Sequence, residues 1–439
     1  MSEKKMEKIV SLCKRRGFVY AGSDLYGGLA NTYDYGPLGV ELKNNLRTIW
    51  WKKFVRENKN VVGLDGGIFM SPKVWEASGH LKNFKDPLKE CKECHARFRP
   101  DKVDDPNVCP ICGKKNLTEE KLFLGMFRTF IGPVEEEALT AYLRPETAQA
   151  IFVNYKNVLD STNQKIPFGI AQTGKAFRNE ITTGNFIFRT LEFEQMELEY
   201  FISPDSDWQK DFDFWQKNMR DYADEIGINM KKLHAVDIPK DERAHYSQKT
   251  IDFEYEFPFG QDELWGLAYR TDYDLKKHQE SSGEDLQYFD PQAQEKYLPH
   301  VIEPSLGLDR SVLAVLCSAY REEEVSKDEI RVVLQLKPEV APYKIAVFPL
   351  LKNKEKLVKK AKEIYQDLNK QYMVFWDDRG NIGKRYRYQD EIGTPYCVTV
   401  DFETVEKDQA VTVRDRDTME QERVKIKDLE KYFDEKLAQ

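Results

Sequence analysis

Four cysteines fall in two pairs, Cys91-x2-Cys94 and Cys109-x2-Cys112, separated by 14 residues. Each pair can set two thiolates on one ion. Four thiolates suit tetrahedral zinc and leave no open position, so the expected metal is structural, not catalytic. Gly113, just past the second pair, allows the tight turn of such a knuckle. The alternative is four structural thiols in a loop, and His95 could replace one cysteine as ligand. The other three of the seven cysteines, Cys13, Cys317 and Cys397, lie in apolar or mixed stretches and read as core thiols. An odd count with four clustered points to a reducing compartment, not a disulfide scaffold.

A second constellation mixes guanidinium, carboxylate and aromatic groups. Alternation along the strand from Ile187 to Glu197 puts Arg189, Phe193, Gln195 and Glu197 on one face. On the strand before it, Gln172, Arg178 and Glu180 share a parity. A solvent face with cross-strand ion pairs is one reading. The floor of a site for a charged, planar ligand is the other, and Phe193 among the charges favours it. A third signal is Glu303-Pro304-Ser305-Leu306-Gly307-Leu308-Asp309-Arg310, a strand running into a helix. Arg310 in the first helical turn opposes the helix dipole. That makes sense if an anion docks there, because free N–H groups and a guanidinium both attract phosphate. An Arg paired with a nearby acid is the other account. Near the C-terminus, Arg379, Lys384, Arg385 and Arg387, interleaved with Tyr386 and Tyr388, suit either unstacked bases or a solvated helix face.

These residues need elements to hold them. After a short N-terminal helix, Gly36-Pro37 opens a helix whose Leu38, Leu42, Leu46, Ile49, Trp50 and Phe54 make one apolar stripe. A strand is expected from Val61 to Met70, closed by Pro72. Residues 85–125, dense in Cys, Lys, Asp and Pro, read as an insertion. Strands are expected over Ile166–Arg178 and Phe186–Phe201, with Thr182-Thr183-Gly184-Asn185 turning between them. Residues 205–228 read as helix and 250–273 as strands. Val301–Pro304 reads as a short strand and Leu308–Tyr320 as an apolar helix. Hairpins with helices at their margins imply an antiparallel sheet in an α+β body over 1–336. Beyond Leu336-Lys337-Pro338 strands and helices alternate: Tyr343–Leu350, Asn353–Lys370, Tyr372–Asp377, Ile382–Ile392, Tyr396–Phe402, Ala410–Asp415 and a helical end. That implies a separate mixed α/β domain over 337–439.

The 439 residues are 41% hydrophobic and 32% charged, an ordinary globular composition that suits two or three domains. No window approaches about 18 consecutive apolar residues, so no membrane span is expected. The start, MSEKKMEKIVSLCKRRGF, lacks the apolar block of a signal peptide. Net charge is −8, but residues 341–439 carry 20 Lys/Arg against 19 Asp/Glu. An acidic body with a near-neutral tail can still bind RNA through local patches, so net charge decides nothing.

Six stretches in order resemble the homodimeric glycyl-tRNA synthetase family, from about residue 5 to the C-terminus. They are Trp75-Glu76-Ala77-Ser78-Gly79-His80, Arg144-Pro145-Glu146-Thr147-Ala148-Gln149, Phe177-Arg178-Asn179-Glu180, Phe193-Glu194-Gln195-Met196-Glu197, Glu303-Pro304-Ser305 through Arg310, and Asp377 through Arg385. The resemblance implies a class II catalytic domain on an antiparallel sheet, with a zinc-knuckle insertion, followed by an anticodon-binding domain. The helix and strand ending at Pro72 resemble a dimer-interface element. The implied reaction makes glycyl adenylate from glycine and ATP and transfers the glycyl group to tRNA. Arg178 and Arg310 are the implied catalytic pair, on the α- and γ-phosphates. Asn179, Glu180, Phe188, Arg189, Phe193, Leu264 and Gly307 complete the implied ATP site, with Phe193 on adenine, and Glu263 is the implied Mg2+ ligand. Glu146, Glu197, Glu303, Ser305, Phe193, Gln195, Gly307 and Arg99 are the implied glycine site. Arg379, Lys384, Arg385 and Arg387 are the implied tRNA contacts, and Cys91, Cys94, Cys109 and Cys112 the implied zinc ligands. A cytoplasmic homodimer is implied as well. Two positions depart from the pattern: Leu191, where many relatives have Arg, and Tyr269, where an acid is expected. Two neighbouring readings are a class II synthetase for another amino acid and a binding subunit that kept the fold. The acidic set and the Arg144–Gln149 stretch argue against the first, and the presence of Arg178 and Arg310 against the second.

Overall fold

The computed structural model describes residues 2–133, 139–181, 184–244, 246–327 and 329–437. At its centre lie seven strands: Leu233–Asp237, Lys249–Phe257, Gly260–Thr271, His300–Gly307, Glu192–Ile202, Phe168–Phe177 and Val61–Gly63, in that spatial order. Every pairing is antiparallel except that of Val61–Gly63 with Phe168–Phe177. One face buries the helices Pro37–Trp51, Trp208–Glu225 and Leu308–Ala319 in the largest apolar core. Period-two alternation explains the division. Met196, Leu198 and Tyr200 join that core, so Phe193, Gln195, Glu197 and Glu199 point the other way. On that other face the sheet is covered at one end only. There Phe201, Phe168 and Ile170 pack under the helix Ala148–Thr162. What remains open is a polar floor.

The expected apolar stripe on Pro37–Trp51 is buried at Leu38, Leu42, Leu46 and Trp50, and Phe54 follows in the next turn. Leu308–Ala319 is buried at all but one position, as suits a helix that is apolar all round.

Two expected strands are corrected. Val61–Met70 is interrupted: Val61–Gly63 joins the central sheet, whereas Phe69–Met70 pairs with Leu139–Leu143 in a small separate sheet. Between them Gly66 donates its N–H to Gln172 Oε1 at 2.7 Å, and Arg144 Nη1 donates to the Gly66 carbonyl at 2.8 Å, so the backbone leaves the ladder. The strand expected from Phe186 begins only at Glu192, because Phe186–Phe188 forms a 3-10 turn entered through Asn185 and Phe186 at positive φ. Of the expected turn 182–185, Thr182 and Thr183 lie outside the described residues.

The insertion leaves the body at Phe84 and returns at Gly125, its root a hairpin of Lys85–Glu90 with Lys121–Leu124. The C-terminal region carries its own sheet in the order Val374–Trp376, Ile345–Pro349, Tyr396–Val400, Ala410–Asp415, Gln421–Lys425. The first three strands are parallel and the rest antiparallel. Glu355–Leu368 and Leu429–Leu437 close its separate core. Among the described residues no helix is long and apolar enough to cross a membrane.

Candidate active site

A cavity of about 320 Å³ lies on the open face of the central sheet. Its floor comes from Glu192–Ile202 and His300–Gly307, whose register sets Gln195 against Gly307 and Glu197 against Ser305. One end is acidic. Glu197 accepts from the Thr147 N–H at 3.1 Å, from the Thr147 hydroxyl, from Ser305 Oγ at 2.8 Å and from Gln195 Nε2 at 2.8 Å. Glu146 lies 3.2 Å from His80 Nε2. Glu303 accepts from Arg270 Nη1 at 2.7 Å, and Asp274 takes the other side of the same guanidinium at 2.8 and 2.9 Å. Arg270 reaches this end because it shares the face of its strand with Gly266 and Ala268, while Leu267 and Tyr269 point to the helices.

Burial and crowding set the charges here. Burial pushes Glu303 up to about 8, against the pull of Arg270 and with the repulsion of Glu197. Burial, then Glu146, raises Glu197 above the ordinary carboxylate range. Glu146 goes the other way: burial works against its charge, but the adjacent His80 and then Arg270 hold it well below that range. Such a ring, short of cations, can take a small ammonium group.

The other end is cationic. Arg178 lies just beyond Phe177, its N–H bonded to the Leu191 carbonyl at 3.0 Å. Its guanidinium faces the Phe193 ring at 5.3 Å, and Nε donates to the Pro145 carbonyl at 3.0 Å. Arg310 lies over the Phe188 ring at 4.5 Å, and its Nη1 contacts the Glu263 carbonyl at 2.8 Å and carboxylate at 3.2 Å. Both alternatives for Arg310 thus hold together: it is paired with an acid, and it faces the cavity. Two guanidiniums beside aromatic faces suit a polyanion carrying a planar ring.

Most of the expected residues meet at this cavity: Arg178, Glu180, Phe188, Arg189, Phe193, Glu263, Leu264, Gly307 and Arg310, together with Glu146, Gln195, Glu197, Glu303 and Ser305. Arg189 does so from the turn, not from the strand face. Two expected residues are not brought there. Arg99 is tied within the insertion to Asp86 and Asp101, each at 2.7 Å. Asn179 is absent from the lining and gives its N–H to the Gly125 carbonyl at 2.8 Å. The departures also become legible. Leu191 lies before the strand and outside the lining. Tyr269 points to the helical face, stacked on Trp208 at 4.5 Å.

Sequence reading missed Asp252, Asp309, Glu194, Arg270 and Asp274. Burial, with Glu263 and Glu254, raises Asp252 to about 7. Asp309 and Glu194 line the cavity, and both bind Lys43, at 2.8 and 3.1 Å, which ties the helix Pro37–Trp51 to the site. The i,i+4 spacing of Arg270 and Asp274 was a signal, as was an Arg directly after the apolar run Leu264–Tyr269.

In the C-terminal region Lys384 and Arg387 open onto a second cavity with Arg16, Arg414, Tyr386 and Tyr388. Arg387 is also paired with Glu329 at 2.6 Å. Arg379 is exposed and paired with Asp377 at 2.9 Å. Arg385 departs from expectation: it is buried, and its Nη groups donate to the carbonyls of Pro349 and Leu350 at 2.6 and 3.2 Å.

The four clustered thiols converge. Their sulfurs all lie within 4.8 Å of one another, with Cys91–Cys112 and Cys94–Cys109 at 3.6 Å. A tetrahedron with sulfur about 2.3 Å from its centre has edges of roughly 3.8 Å, so the set is compatible with zinc. His95 is exposed and turned to Glu90 at 3.5 Å, outside the set.

Residues 344–436 match the family described as anticodon binding domain. Over its whole length the chain is similar to curated proteins named glycine–tRNA ligase. It is 55% identical to that of Lachnospira eligens and 54% to that of Clostridium acetobutylicum, with 99% of each chain covered. Against that of Geobacillus thermodenitrificans it is 52% identical, with 99% of this chain and 98% of the relative covered.

Proposed function

The chain belongs to the glycine–tRNA ligase family, and from that premise we propose how its cavity divides the work. The enzyme activates glycine with ATP and transfers the glycyl group to the 3′ end of tRNA(Gly). In the first step a glycine carboxylate oxygen attacks the α-phosphorus and pyrophosphate leaves. In the second a terminal ribose hydroxyl of the tRNA attacks the glycyl carbonyl and AMP leaves. Such transfers need positioning and charge neutralisation more than a strong base.

Arg178 holds the α-phosphate and Arg310 the γ-phosphate, with adenine on Phe193 and Glu180 near its amino group. Phe188, Arg189, Leu264 and Gly307 complete the nucleotide half. Glu146, Glu197 and Glu303 grip the glycine ammonium, with Ser305 and Gln195 fixing Glu197, and Arg270 braces Glu303 from behind. Every amino acid offers an ammonium and a carboxylate, so selection rests on a wall that a Cβ would meet, and alanine, one methyl larger, is disfavoured by about 10–200-fold. Glu263, half-exposed at the cavity, offers the hard oxygen ligand that Mg2+ prefers, and the ion when bound would neutralise phosphate charge. Zinc on the four cysteines is structural. The chain divides at about residue 336 into a catalytic body, with the insertion at 85–125, and an anticodon-binding domain. In the latter, exposed Arg379 and Lys384, together with Arg387, contact tRNA while buried Arg385 braces the fold. The helix Pro37–Trp51 contributes to a homodimer, and free thiols suit the cytoplasm.

The observation that carries this reading is one cavity that Arg178 and Arg310 line together with Glu146, Glu197 and Glu303. Glycine-dependent ATP–pyrophosphate exchange tests it, with alanine, serine, proline and threonine for comparison. Arg178→Ala and Arg310→Ala should each lose about 100-fold or more while the protein stays folded. Near-normal exchange in both variants would refute the assignment.

A further inference from the structure

The segment that opens the cysteine-bearing insertion touches both halves of the cavity. His80 is fixed by Ser78 Oγ on its Nδ1 at 2.7 Å and meets Glu146 with its Nε2. Four residues on, the Phe84 ring faces the Arg178 guanidinium at 5.7 Å, so that Arg178 is flanked by Phe84 and Phe193. Its Nε is held by Pro145; among the described residues neither Nη finds a protein acceptor. Ring faces, not ion pairs, therefore set its orientation and leave its outer donors for an anion.

Phe84 is also the root of the insertion hairpin. Gly125 donates its N–H to the Phe84 carbonyl at 3.0 Å and accepts from the Asn179 N–H at 2.8 Å. A Cβ on Gly125 would lie 2.6 Å from the Phe84 ring, so glycine alone lets the two approach. From that root the ladder runs through Lys85 opposite Leu124 to Leu88 opposite Lys121, and on to Cys91 opposite Leu117. Seven residues of extended chain, about 23 Å, link Arg178's neighbour to the first thiol.

We propose that Phe84 is a positioning residue for Arg178, and that the hairpin conveys the state of the four-thiol cluster to the nucleotide half of the cavity through it. This rests on reading Arg178 as a phosphate ligand. With the thiols bound to one ion, the hairpin is closed at its tip and its root is held in register, which keeps the ring against the guanidinium. With the thiols free, the tip can open, the root pairing loosens and Arg178 loses one of its two walls.

The test combines pyrophosphate exchange with amide hydrogen exchange. Phe84→Leu should lower kcat about tenfold with KM for glycine unchanged within about twofold, and Phe84→Tyr should recover most of it. Chelation of the metal, or Cys112→Ser, should lower wild-type kcat to a similar degree and speed amide exchange at Asn179 and Gly125. In the Phe84→Leu background the same treatment should add less than about twofold. Gly125→Ala displaces the ring without touching a cysteine and keeps the test open if Cys112→Ser does not fold. Losses that multiply, Asn179 protection that is indifferent to the metal, or Phe84→Leu within about twofold of wild type would each overturn the proposal. Arg178→Ala run alongside separates the two claims. If it is silent the reading of the site fails; if it is inactive and Phe84→Leu is not impaired, only the linkage fails.

Discussion

The carboxyl of Glu199 is fully buried, two residues along the strand from Glu197, and neither of its oxygens has a hydrogen-bond partner among the described residues. Burial first, and Glu303 next, push it well above the ordinary carboxylate range. A free carboxyl titrates near about 4.3, so the folded protein keeps a proton that the unfolded chain gives up. Wild type therefore loses stability as pH rises through that window, by up to about 1.4 kcal/mol per pH unit. Glu199→Gln removes the titration while keeping the shape. Its urea midpoint should gain on wild type steadily from pH 5 to pH 7, and parallel curves would show that Glu199 is charged in the fold. The alternation that put Phe193, Gln195 and Glu197 on one face also reaches Glu199, which was legible and passed over. Arg270 is a second such case, since it follows Tyr269 of the helical face and shares its parity with Gly266 and Ala268, which line the cavity. Arg99 and Arg385 misled for another reason. Their guanidiniums found partners close by, Asp86 and Asp101 in one case and two backbone carbonyls in the other, and one-dimensional spacing carries no information about such competitors.

Elements whose apolar positions recur at helical spacing were legible, because burial follows the stripe. Pro37–Trp51 is the case in point, yet its tightest contact comes from a residue the stripe ignores. A Cβ on Gly39 would lie 1.8 Å from the Phe18 carbonyl oxygen, a backbone atom that cannot step aside. Gly39→Ala should therefore destabilise the protein by about 3 kcal/mol through overpacking. The exposed neighbour Val40→Ala should stay within about 0.5 kcal/mol. Equal thermal shifts for the two would mean that the helix has room to move out. Strand limits were less legible. Val61–Met70 and Phe186–Phe201 look continuous as strings of β-formers. They break where side chains from elsewhere, Gln172 and Arg144, capture the backbone at Gly66, and where two residues at positive φ turn the chain before Phe188. Those causes are tertiary. The small hairpin Arg128–Ile131 with Leu139–Leu143 left no mark in the sequence reading, nor did Leu233–Asp237 at the sheet edge, because short strands give too few alternations to count.

At the scale of the molecule, the near-neutral tail and acidic body said little about how the two halves meet, because the decisive charges are few and buried. Asp390 of the C-terminal half is fully buried. It receives Arg331 Nε at 2.9 Å from the hairpin Tyr320–Leu334, and Arg414 Nη1 at 2.8 Å from its own sheet. Arg331 also donates to the Arg416 carbonyl, so one guanidinium from the body plugs the other half at two points. Exposed pairs such as Arg15 with Glu391, at 3.1 Å, add little beside it. Arg331→Ala strips a buried partner from Asp390 and should cost about 3 kcal/mol, the low end for a broken buried pair because Arg414 remains bidentate. The cavity lies on the central sheet, and Arg331 is not part of its lining. Pyrophosphate exchange should therefore stay within about twofold, whereas charging of full-length tRNA, which needs both halves held at a fixed separation, should fall about tenfold. The ratio of the two rates is the measurement. A parallel fall in both would mean that this junction supports the fold and not the registration of tRNA.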